Sequence, residues 1–104
     1  MARLRSYAED QLGSRPEVRE VTLVGSLARD DWSARSDADL VLIVDSADDR
    51  GPLRGARYAP RDPLPVPVDI RVYTPHERLG WSPRFRSEVE HGVVLLRREA
   101  PGGA

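Results

Sequence analysis

The chain has 104 residues, 16 basic against 17 acidic side chains and a net charge of -1, so bulk charge gives no argument for a nucleic-acid or membrane partner. It has no cysteine, which excludes disulfides, thiolate zinc sites and a cysteine nucleophile and leaves any metal to oxygen or histidine. Every basic residue is arginine, no stretch is apolar for a membrane-spanning length, and the first residues lack the apolar run of a signal peptide. A soluble cytoplasmic protein is expected, with a single domain over residues 1–99 and a frayed tail from Ala100 to Ala104.

Leu4, Tyr7, Ala8 and Leu12 recur at helical spacing, which predicts an amphipathic helix from Arg3 to Leu12 stopped by Gly13. After Pro16, the β-branched run Val18 to Val24 predicts a strand that ends in a tight turn at Gly25-Ser26. Leu27 to Arg29 has room for one helical turn, and Asp30 to Ser36 is polar. A second strand is expected from Ala38 to Asp45. Its apolar residues fall on both parities, so both of its faces should be covered.

Ser46 to Pro65 shows no usable periodicity and reads as a long loop, whose Arg50, Arg54, Arg57 and Arg61 face water, a partner or a nucleic acid. Val66 to Tyr73 alternates as a third strand, with Asp69, Arg71 and Tyr73 on its polar face. Thr74-Pro75 with Glu77 reads as a capping box opening a helix to about Leu79. Phe85 and Val89 suggest a further helical turn or two before His91-Gly92, and Val93 to Leu96 a last strand. His76 and His91 fit helix ends and are not assigned to metal; Trp32 and Trp81 read as packing residues.

The segment that carries chemistry is Gly25-Ser26-Leu27-Ala28-Arg29, followed by Ser36-Asp37-Ala38-Asp39-Leu40. Residues two apart in an extended chain point the same way, so Asp37 and Asp39 present two mutually repelling carboxylates at the start of a strand. A divalent cation removes that repulsion, and magnesium prefers carboxylate oxygens while keeping positions for water and phosphate. Asp69, on the polar face of another strand, completes a cluster suited to two-metal phosphoryl transfer if the sheet sets the two strands side by side. Gly25 and Ser26, ending a strand and opening a helical turn, offer backbone N–H groups and a hydroxyl to a phosphate. Arg29 either reaches a phosphate oxygen or buttresses the acidic loop, and Ser36 either caps a turn or touches substrate.

These two motifs, at this spacing, resemble the minimal nucleotidyltransferases of the polymerase-β superfamily, whose pattern is Gly-Ser-x-Ala-Arg-Gly, a short variable stretch and Ser-Asp-x-Asp-Leu. Val68-Asp69-Ile70 resembles the strand of that family's third carboxylate, and Asp30 stands where the family has glycine. The resemblance implies an α/β fold with a mixed twisted sheet of about four strands and helices mainly on one face. It implies catalytic and metal-binding roles for Asp37, Asp39 and Asp69, nucleotide-binding roles for Gly25, Ser26, Arg29 and Ser36, and Mg²⁺, as a pair of ions replaceable by Mn²⁺. The implied reaction moves a nucleoside monophosphate, AMP from ATP or its counterpart from another nucleoside triphosphate, to an acceptor hydroxyl. The implied setting is a toxin–antitoxin pair with a HEPN-type toxin as protein partner. Two rival readings are a weakened domain that neutralises a partner by contact alone, favoured by Asp30, and a nucleic-acid regulatory module using the arginine-rich loop.

Overall fold

The computed structural model describes residues 2–25, 27–29, 37–45, 52–62, 64 and 66–98. Helix α1 (Ala2–Ser6) runs on as a π-helical segment (Tyr7–Leu12), closed by a Gly13 N–H to Ala8 carbonyl bond of 2.8 Å. Strand β1 (Val18–Val24), a 3₁₀ turn (Leu27–Arg29), strand β2 (Ala38–Val44), helix α2 (Pro52–Arg57) and strand β3 (Val68–Tyr73) follow. Helices α3 (Pro75–Arg78) and α4 (Pro83–Glu90) lead into strand β4 (Val93–Arg97). No helix among the described residues is long and apolar enough to cross a membrane.

The four strands form one mixed sheet in the order β3-β2-β1-β4, with β2 and β3 parallel and the other pairs antiparallel. Leu40 to Val44 are all buried, as the apolar run on both parities required of a strand inside the sheet. On one face, Leu4, Tyr7, Ala8 and Leu12 pack against Val21, Leu23, Leu40 and Leu42 in the larger core. The side chains of this core each contribute roughly 1.5–3 kcal/mol when fully buried. On the other face a smaller cluster joins Val24 and Val41 to Val89 of α4, with Tyr73, Trp81 and Phe85 stacked edge to face around it. Trp81 thus has the packing role expected of it.

The structure departs from the sequence reading in three places. Residues read as one loop from Ser46 to Pro65 contain α2, opened by Pro52, because parallel strands need a crossover connection long enough to return the chain to the same end of the sheet. Glycine at position 55 lets α2 lie against β3, since a Cβ there would stand 2.8 Å from the Ile70 carbonyl oxygen. The third strand starts at Val68 rather than Val66, and the first helix widens into a π-helical segment over its second half. The capping box is present: Glu77 N–H donates to Thr74 Oγ1 at 3.2 Å, and Thr74 N–H donates to Glu77 Oε1 at 3.0 Å.

Candidate active site

The sheet brings three chain segments together at one end. Asp39, the second residue of β2, pairs with Val24 at the end of β1 and lies directly abreast of Asp69 in β3. Because side chains alternate along a strand, this parallel register puts both carboxylates on the same face, the one that also carries Val41 and is covered further along by α4. Asp37 lies just ahead of β2, two residues before Asp39, and is exposed.

Gly25 follows Val24 with φ +83°, in the left-handed region that glycine enters without cost. A Cβ at that position would stand 2.8 Å from Asp39 Oδ2. The glycine therefore does two things: it turns the chain out of β1 and it leaves the space that the Asp39 carboxylate fills. Ser26, Ser36 and Asp30 lie outside the described residues, and so does Trp32. Arg29 closes the 3₁₀ turn that follows Gly25, with its backbone alone described.

Electrostatics at this end of the sheet are those of crowded anions. The Asp39 carboxyl is held above the ordinary aspartate range, first by burial and then by the negative charges of Asp69, Asp37 and Glu88, while Arg71 pulls the other way. Arg71 makes a long ion pair with Asp69, 3.6 Å from Nε to Oδ2. Sequence reading missed Glu88 and gave Arg71 no role. Glu88 comes from α4, and only the packing of its neighbour Val89 on Val24 and Val41 brings it to this face.

Among the described residues, no three acidic or histidine side chains converge at metal-ligand spacing. The donor set nonetheless suits a hard divalent cation: carboxylates on adjacent strands, one of them short of water and repelled by the others, gain most from a shared positive charge. His91 Nδ1 is engaged by the Ser87 carbonyl at 2.8 Å. In the segment read as arginine-rich, Arg54 is committed to Glu77 at 2.6 Å and to the Val72 carbonyl at 3.3 Å, so this arginine serves the fold.

A family model described as a nucleotidyltransferase domain matches residues 4–95. The solved structure of a candidate nucleotidyltransferase from Sulfolobus solfataricus superposes with a TM-score of 0.59 over 91% of this chain and 78% of that one, at 22% identity. At that identity the likeness speaks for the fold. A comparison with curated proteins found no match.

Proposed function

We propose that this chain, which belongs to the nucleotidyltransferase domain family and is thereby a transferase, uses Asp37, Asp39 and Asp69 to transfer a nucleoside monophosphate to an acceptor hydroxyl. The observation that carries the reading is the register of β2 and β3, which sets Asp39 beside Asp69 on one face while Gly25 yields its side-chain space to Asp39. Asp37 and Asp39 would hold Mg²⁺ or Mn²⁺ together with the triphosphate, and Asp69 would share the metal. Bound metal supplies neutralisation of the phosphate charge. Gly25 and Ser26 would bind the phosphates, and Arg29 and Ser36 would contribute to nucleotide binding.

Asp69 has a second task. The acceptor oxygen attacks the α-phosphorus in line, its bond forms as the bond to the β-phosphate oxygen breaks, pyrophosphate leaves, and the hydroxyl proton passes to a carboxylate oxygen of Asp69. The exposure of Asp69, beside the drier Asp39, suits the residue that meets an incoming acceptor.

Within the family we place the chain among the minimal nucleotidyltransferases, on the Gly-Ser-x-Ala-Arg and Ser-Asp-x-Asp-Leu motifs. The setting that follows is cytoplasmic: an antitoxin that adenylylates a HEPN-type toxin, with ATP as donor and a protein hydroxyl as acceptor. The test is incubation with magnesium and each α-labelled nucleoside triphosphate, with and without the product of the neighbouring gene. Label from one triphosphate should enter the partner with the wild type and not with Asp37→Ala; equal labelling by both would refute the assignment.

A further inference from the structure

Asp69, Arg71 and Tyr73 alternate along β3 onto one face, where Tyr73 packs against Trp81 and Phe85 while Asp69 and Arg71 stay exposed. Arg71 is therefore the first side chain beyond Asp69 on the active-site face, abreast of Val41 in β2. Its guanidinium lies 3.6 Å from Asp69 Oδ2, and its charge reaches Asp39 as well, pulling that carboxyl back towards its ordinary range. The grip is loose. Arg19 donates twice to Asp45 at 2.6 and 2.7 Å from a nearly buried position, whereas the Arg71–Asp69 contact is longer than a hydrogen bond and joins two half-exposed side chains. Such a pair sets charge near charge and costs little to break.

Two requirements meet at this side chain. Without metal, the crowded carboxylates of Asp39 and Asp69 gain from a positive charge beside them. With divalent metal in place that charge is superfluous, and a guanidinium a few ångströms from a doubly charged ion is repelled. Free metal therefore has to drive Arg71 out into water. Metal carried on a triphosphate brings several anionic oxygens to the same place, and the forked N–H donors of arginine match phosphate oxygens.

We propose that Arg71 is the resident counter-cation of the acidic end of the sheet and passes from Asp69 to the triphosphate when metal arrives, so that the site takes the metal–nucleotide complex in preference to free metal. This role rests on the assignment of Asp39 and Asp69 as metal ligands given above. It adds a nucleotide-binding residue outside the two motifs and makes the affinities for metal and nucleotide depend on each other.

The test measures two affinities of the full chain: that for free Mn²⁺, by electron paramagnetic resonance, and that for the preformed complex of Mn²⁺ with a non-hydrolysable nucleoside triphosphate, by calorimetry. Arg71→Met should bind free Mn²⁺ about threefold more tightly than the wild type and the complex about tenfold more weakly. Arg71→Lys keeps the charge without the fork, so it should match the wild type for free Mn²⁺ and still bind the complex less well. Arg5→Met removes an exposed arginine from α1, on the opposite face of the sheet, and should change neither affinity. Free Mn²⁺ bound no more tightly by Arg71→Met, a complex bound no more weakly, or equal shifts in Arg5→Met would each overturn the role of Arg71. A wild type that binds neither free Mn²⁺ nor the complex would instead strike the metal-ligand assignment, and the role of Arg71 with it, so the two failures are separable.

Discussion

A methyl group at position 25 meets two obstacles at once, the positive φ and the Asp39 carboxylate. Gly25→Ala should therefore cost about 1–2 kcal/mol of stability and, by displacing Asp39, lower nucleotide transfer on the order of a hundredfold. Urea denaturation and a transfer assay read the two effects separately. Asp39 carries the opposite trade. Burial and neighbouring anions raise its pKa, so the folded chain binds that proton more tightly than the unfolded chain does. In the absence of metal, the destabilisation from Asp39 is absent at low pH and grows as pH rises through its raised pKa. Asp39→Asn should thus raise the metal-free Tm near neutrality by a few degrees, on the order of 0.5 kcal/mol after allowing for water that still reaches the site, and abolish transfer. The Tm advantage should shrink on acidification; parallel pH profiles for variant and wild type would contradict the cause assigned here. Glu77, lowered chiefly by hydrogen bonds from Arg54 and the Thr74 backbone, contributes with the reverse sign, its stabilisation being lost as pH falls through its own titration.

At the scale of elements, ion pairs between distant segments fix how the strands and helices meet. Arg19, nearly buried, donates to both carboxylate oxygens of Asp45 at 2.6 and 2.7 Å, tying the start of β1 to the end of β2. Asp45 is itself exposed and Arg19 keeps its bond to the Pro16 carbonyl, so Asp45→Ala should cost about 1–2 kcal/mol, visible as a lower urea midpoint with an unchanged m-value. Arg98 binds the carbonyls of Val18, Gly13 and Arg15, and Glu20 receives Arg78 and Arg97, closing the chain's last described segment onto β1. None of these partners is near in sequence, which is why periodicity could not reveal them. What could be read was local: the β-branched run of β1, the apolar run of β2 on both parities, the turn at Gly25, the capping box at Thr74 and Glu77. Helix α2 escaped because six residues with an internal glycine give too short a pattern to distinguish from a loop rich in arginine and proline. The motif spacing led to the expectation that Asp37 and Asp39 share a side, but the placing of Asp39 abreast of Asp69 depends on a parallel register, a property of two strands and the crossover between them. Glu88 is legible only once α4 is placed on the sheet.

For the whole molecule, the fold is organised so that its larger core stabilises one face of the sheet while the other face gathers anions at one end, with α4 covering its remainder. On the proposed function, a bound cation and triphosphate would relieve the repulsion among these carboxylates. Magnesium with a non-hydrolysable nucleoside triphosphate at a hundred times its Kd should add about 2.7 kcal/mol, several degrees in Tm for a domain of this size. The central claim is that Asp39 and Asp69, side by side through strand register, hold the same cations. It is tested most directly by titrating Mn²⁺ in the presence of such an analogue and counting bound ions by electron paramagnetic resonance. A pair of bound ions in the wild type, with loss of binding in both Asp39→Asn and Asp69→Asn, is the predicted result; unchanged Mn²⁺ binding in Asp69→Asn would contradict it.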